Sequence, residues 1–233
     1  MKNYILIIKI NYLNNIKIIK YYKKIFKCKY SYNNNYFNFI NKSKKFFLNK
    51  KFILVNTPEI ENYYFNFKLL NIYKKDIKGS FFLKKKILRT HTSSLQNRIL
   101  KNFFLKKNFF NIGKVYRNDI SLIHLPIFFQ IDFFLNNYKI KNILKIILNF
   151  LSFILKKKIY FKIRKNKFPF TINSFEIDIL KNLNWLEIAG FGETNKNIIL
   201  NNFLKTKFIA GGIGLDRIYY ILKKVNNIKN IYD

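Results

Sequence analysis

Phe52-Ile53-Leu54-Val55 is an apolar run of four residues stopped by Asn56-Thr57-Pro58, which is strand length and too short for a helix. Similar patterning predicts strands over Lys78 to Arg89, Lys114 to Tyr116, Ile159 to Ile163 and Trp185 to Ile188. Phe128 to Leu135 is a longer aromatic and aliphatic stretch, the signature of a buried strand. Only two segments carry a helical period. Asn142 to Leu155 places Ile143, Leu144, Ile147, Leu151, Ile154 and Leu155 on one face, and Leu215 to Lys223 reads as a helix after a glycine turn. Residues 1 to about 45 alternate short apolar runs with Lys and Asn, and read as a weakly specified helical or partly disordered extension. Strands outnumber helices and follow one another closely. That order predicts an α+β domain over 46–233, built on a mainly antiparallel sheet flanked by helices, with 1–45 as a short appendage.

Composition changes this picture in two ways. The 233 residues carry a formal net charge of +34, which by itself suggests affinity for nucleic acid. Yet Lys, Asn, Ile, Phe and Tyr dominate, and all five can be encoded by A and T alone, so codon drift accounts for most of the lysine. The converse is more informative, because residues that drift should have removed stand out where they persist. Arg89, Arg98 and Arg117 share one stretch with both histidines, His91 and His124, while Gly190, Gly192, Gly211, Gly212 and Gly214 cluster downstream, followed by Arg217. One cysteine, Cys28, excludes a disulfide framework and points to a reducing cytoplasm. The longest apolar candidate span, Asn142 to Leu155, is too short for a bilayer and contains Lys145, so no membrane association is expected. Met1 to Lys20 has no small-residue cleavage site, which argues against a signal peptide.

Candidate chemistry gathers at the retained residues. Arg117 ends a predicted strand, where a guanidinium can fork onto phosphate oxygens. Gln130 and Asp132, two residues apart, share one face of an otherwise apolar strand and are costly to bury unless they meet a ligand such as a primary ammonium. Arg164, alone in its stretch, reads as a solvated surface charge. Gly211-Gly212-Ile213-Gly214 before Arg217 reads first as a turn, and the missing Lys-Ser/Thr pair excludes a Walker loop.

Set in order, these segments resemble the alpha chains of phenylalanyl-tRNA synthetases. The resemblance rests on Thr57-Pro58-Glu59-Ile60-Glu61, on Arg89-Thr90-His91-Thr92-Ser93 with Gln96, and on Gly113-Lys114-Val115-Tyr116-Arg117-Asn118-Asp119 followed by His124 to Gln130. Phe168-Pro169-Phe170-Thr171, Trp185-Leu186-Glu187 with Gly190-Phe191-Gly192, and Gly211 to Arg217 complete it. It implies a class II synthetase catalytic domain that activates phenylalanine with ATP and transfers it to tRNA(Phe), in an assembly of two alpha and two beta chains. Carried over by position, Arg117 and Arg217 are the catalytic arginines and hold ATP, with Phe129 beside the nucleotide. Ser93, Gln130 and Asp132 take the ammonium end, His91 and Gln96 line the same pocket, Phe168 and Phe170 flank the ring, and Ala210 floors it.

The departures are local. Ile172 stands where the family places a glutamate that binds magnesium, so magnesium is expected only with ATP. Asp132 and Asp216 replace glutamates, and Phe129 replaces a histidine. The family's N-terminal tRNA-binding arm is expected here as a stub. Three rival readings remain: a catalytically impaired, synthetase-like RNA-binding protein, which Ile172 favours; a class II enzyme of phosphoseryl or pyrrolysyl type; and a basic structural protein, which leaves the clustered His, Arg and Gly without a role.

Overall fold

The computed structural model describes residues 5–7, 33–73, 77, 79–83, 86–102, 107–119, 121–200 and 206–232. Most of the expected N-terminal extension, with Cys28, lies outside the described residues. The part of it that is described forms α1 (Asn34–Asn49), where the Asn33 side chain caps the first turn by accepting from the Tyr36 amide at 2.9 Å. Tyr36, Phe39, Ile40, Phe46 and Phe47 make one buried face of α1, so residues 34–49 are an integral layer of the core. A boundary at residue 45 falls inside this helix.

Eight strands form the main sheet: β1 (Ile5–Ile7), β2 (Ile53–Asn56), β6 (Phe109–Tyr116), β7 (Ile127–Asn136), β8 (Phe161–Phe168), β9 (Thr171–Lys181), β10 (Asn184–Thr194) and β11 (Phe208–Gly214). Their spatial order is β1-β2-β6-β7-β11-β10-β9-β8, parallel from β1 to β6 and antiparallel throughout the rest. A second, three-stranded sheet pairs β3 (Ile60–Asn62), β5 (Lys86–Leu88) and β4 (Phe82–Leu83). The single strand expected over Lys78 to Arg89 is therefore two short strands.

Side-chain alternation divides the two faces of the main sheet. Ile131, Phe133 and Leu135 of β7 and Ile209 and Ile213 of β11 face α1, α4 (Ile140–Leu155) and α6 (Leu215–Lys223) in the larger core cluster. Phe134, Phe208 and Ala210 face the other way, into a smaller cluster with Leu95 and Ile99 of α3 (Leu95–Asn102). Gln130 and Asp132 emerge on this second face, the same as Phe134 and Ala210.

The glycine segment expected as a turn is strand: Gly211, Gly212 and Gly214 are paired within β11 to Phe133, Asp132 and Gln130 of β7. At Gly212 the reason for glycine is space, since a Cβ there would lie 2.5 Å from Gln130 Nε2 and 2.6 Å from Asp132 Oδ1. Arg89 has a framework role. Its guanidinium donates to the Lys114 carbonyl at 2.6 Å and to the Thr57 carbonyl at 2.8 Å, tying the β2–β3 connection to β6. Arg98 pairs with Glu61 at 2.7 Å. Arg164 is exposed, as expected of a surface charge, and it also bonds Asp178 at 2.6 and 3.0 Å and Glu176 at 2.7 Å across β8 and β9, two carboxylates buried in the sheet that require a cation beside them.

Candidate active site

A cavity of about 380 Å³ opens on the sheet face away from α1, α4 and α6. Its floor comes from β7, β10 and β11, and its rim from the segments after β5, β6 and β8. Three zones of different chemistry follow one another along it.

One end is an apolar slot. Phe168 and Phe170, on either side of the β8–β9 turn, lie nearly parallel with centroids 6.0 Å apart. His91 approaches Phe170 at 6.3 Å, and Ala210 closes the slot from β11. Burial pushes the His91 imidazole down to about 3, with the charge of Arg117 adding to the effect, so the ring is neutral near pH 7. Among the described residues neither ring nitrogen has a hydrogen-bond partner.

The middle is a small polar network. Ser93 and Gln130 line the cavity, and Asp132 lies buried behind them. The Ser93 hydroxyl donates to Asp132 Oδ2, and Gln130 Nε2 donates to Asp132 Oδ1 at 2.7 Å. Burial raises the Asp132 carboxyl to about 6, while the bonds from Ser93 and Gln130 pull it back. It is therefore ionised above neutrality and loses its charge in mild acid. Because Gln130 directs its amide N–H at Asp132, its Oε1 is left without a partner. The network is half-satisfied, an arrangement that favours an incoming donor.

The other end is cationic. Arg117 follows β6, donates Nε–H to the Thr90 carbonyl at 2.8 Å, and carries its guanidinium 5.3 Å from the Phe128 ring centroid. Arg117 is exposed to the cavity, yet desolvation by the walls and then the charge of Arg217 lower its pKa from the ordinary value. Arg217, in the first turn of α6, donates to the Glu187 carbonyl at 2.7 Å, and its Nη2 meets His124 Nε2 at 2.7 Å. Two guanidiniums close enough to repel each other make an anion site. Asp216 anchors this corner, accepting from the Tyr36 hydroxyl at 3.0 Å and from the Phe129 amide.

Of the residues expected from sequence, the structure gathers His91, Ser93, Arg117, Gln130, Phe168, Phe170, Ala210 and Arg217 on one wall. Asp132 backs that wall, and Gln96 is buried at the start of α3 without lining it. Phe129 does not line this cavity. It points to the opposite sheet face, 5.7 Å from the Tyr36 ring, whereas Phe128 lines the cavity. The period of two from Gln130 and Asp132 identifies Phe128 in advance. His124, the second of two histidines, and Glu187, two residues beyond the lone tryptophan, also line the cavity and complete the cationic corner.

A dedicated magnesium cage does not fit this wall. Asp119 and Glu187 are its available carboxylates besides Asp216, whose oxygen is already engaged. No group of three or more His, Cys, Asp or Glu converges among the described residues. Ile172 is absent from the cavity lining. Nor is any described helix long and apolar enough to cross a membrane.

Comparison with known proteins agrees with this geometry. Residues 23–233 match the family described as tRNA synthetases class II core domain (F). The chain is 37% identical over 207 residues to the phenylalanine–tRNA ligase alpha subunit of Buchnera aphidicola subsp. Acyrthosiphon pisum (strain APS), covering 84% of this chain and 63% of that one. It is 31% identical over 208 residues to the protein of the same name from Haemophilus influenzae (strain PittEE), covering 83% and 62% respectively. The chain thus spans less than two thirds of the length of these relatives. Among solved structures, pyrrolysyl-tRNA synthetase from Desulfitobacterium hafniense has the same fold, with a TM-score of 0.65 over 84% of this chain and 72% of that chain, at 16% identity.

Proposed function

This chain belongs to the class II tRNA synthetase core family, and from that premise we propose that it is the alpha chain of a phenylalanine–tRNA ligase. The observation that carries the reading is the order of zones in one cavity: an aromatic slot, a carboxylate-backed polar patch, then two arginines. That order matches phenylalanine followed by the phosphates of ATP. The phenyl ring enters between Phe168, Phe170, His91 and Ala210. The ammonium group donates to Gln130 Oε1 and Ser93 Oγ, with Asp132 supplying the opposite charge behind them.

The substrate carboxylate is then directed toward the arginine end. Its oxygen attacks the α-phosphorus of ATP, the bond to the bridging oxygen breaks, and pyrophosphate leaves with the electron pair. Arg117 stabilises the charge that builds on the α-phosphate, and Arg217, held by Glu187 and His124, retains the distal phosphates. Phe128 is the aromatic face available to the base. Magnesium enters as the counter-ion of ATP. In the second step a ribose hydroxyl of the tRNA 3′ end attacks the acyl carbon and AMP departs.

The partners under this reading are a beta chain, in an assembly of two alpha and two beta chains, and tRNA(Phe). An apolar slot rejects tyrosine only about a hundredfold, so editing falls to the partner. Ile172 favours a rival reading, a synthetase-like RNA binder without activity. Charging of a tRNA(Phe) transcript with labelled phenylalanine, by this chain reconstituted with its beta chain, separates them. Phenylalanine-specific charging supports the ligase, and tRNA binding without charging supports the rival.

A further inference from the structure

Trp185 is the only tryptophan in the chain, and its codon, unlike those of the dominant residues, cannot be written in A and T alone. It is nevertheless 44% exposed. Tyr160, just before β8, is 60% exposed. The two are joined through one row of the sheet. Trp185 is registered with Leu180, and the Leu180 amide donates to the Tyr160 carbonyl at 3.0 Å, so their side chains emerge on the same face. Each ring is covered by a cation: Lys162 Nζ lies 4.5 Å from the Trp185 ring centroid and Lys158 Nζ 5.4 Å from that of Tyr160.

The surroundings are predominantly basic, with Glu187 as the half-exposed acid on this face. No acidic residue occurs in the sequence between Asp132 and Glu176, and Lys156, Lys157 and Lys158 are exposed in the turn just before Tyr160. The acids of the next rows, Asp178 and Glu176, are buried and bonded to Arg164, and Asp178 also pairs with Lys162 at 3.7 Å. The face leads into the cavity, because Glu187, two residues along the same face of β10 from Trp185, lines it. Exposed rings beside an excess of lysines form a surface on which nucleobases stack and phosphates are neutralised.

We propose that the row of Tyr160 and Trp185, with Lys158 and Lys162, is a stacking platform for unpaired nucleotides of the RNA that this chain aminoacylates. The identity of that RNA rests on the ligase reading; the stacking itself does not. Aromatic exposure of this kind also suits a protein partner, but the exposed run Lys156 to Lys158 favours a polyanion with planar bases.

The lone tryptophan makes the test direct, since all indole emission of the full chain comes from Trp185. Titrating the chain with a tRNA(Phe) transcript at low salt should quench that emission along the same curve as binding measured independently. Trp185→Ala should weaken RNA binding about fivefold or more. In the complex with the beta chain, phenylalanine-dependent ATP–pyrophosphate exchange without RNA should be unchanged by this variant. Emission that stays constant at saturating RNA overturns the proposal, even if the variant misfolds. So does emission that responds to the beta chain and not to RNA, which assigns the face to a protein contact. Quenching in a chain that shows no exchange sinks the ligase reading and leaves the platform standing.

Discussion

Asp132 shows how far residue identity alone can carry a reading. Two polar residues two positions apart in an apolar strand announce a ligand face, and that much was legible. Its placement behind Ser93 and Gln130 depends on a cross-strand approach that Gly212 permits and no local pattern encodes. Phe129 is expected from its position in a motif, whereas the period of two puts Phe128 on the cavity face. The raised carboxyl has a kinetic consequence. Ionised Asp132 is required to balance the ammonium, so the charge is present above about pH 6 and lost as pH falls through it. The KM for phenylalanine should rise about tenfold per pH unit below that point, with kcat much less affected. Asp132→Asn should raise KM at pH 7.5 and flatten this dependence; a variant that keeps the wild-type acid limb assigns it to another group. At the far end of the slot, Ala210→Gly should admit para-substituted phenylalanines in the exchange assay. Unchanged specificity would remove Ala210 from the pocket.

Elements were read well where one periodicity governs them. The α6 helix matches its expected span, and α4 begins two residues earlier than its apolar stripe, because its first turn is polar and its burial starts at Ile143. The α1 helix was underread, although Tyr36, Phe39, Ile40, Phe46 and Phe47 recur at helical spacing, because Lys and Asn dilute every window of that segment. The glycine segment was read as a turn because glycine weakens strand propensity. Close packing between β7 and β10 overrides that preference. Gly113 offers a test at this scale. A Cβ there would sit 2.0 Å from Arg89 Nη2, so Gly113→Ala must displace the side chain that joins the β2–β3 connection to β6. We expect a loss of about 1–3 kcal/mol, as for other overpacked interiors, read as a fall in Tm of several degrees. An unshifted Tm would show that Arg89 is not a clamp.

For the whole molecule, the charge of +34 says least and the surviving scarce residues say most. Arg89, Arg98 and Arg164 hold the frame, while Arg117 and Arg217 meet in the cavity. Sequence alone could mark these residues but could not sort them, since that sorting is made by which carbonyls and carboxylates the fold brings beside each guanidinium. The fold family, the order of the motifs and most of the cavity wall were legible. The packed status of α1 and the ion pairs beneath β8 were not, because both depend on partners distant in sequence. The central claim is that the cavity joins phenylalanine to the α-phosphate of ATP. Its most direct measurement is phenylalanine-dependent exchange of pyrophosphate into ATP by the chain with its beta partner, alongside Arg117→Ala. Exchange should require phenylalanine and fall at least a hundredfold, on the order of 3 kcal/mol, in the folded variant. No exchange in the wild-type complex, or equal exchange in both proteins, would contradict it.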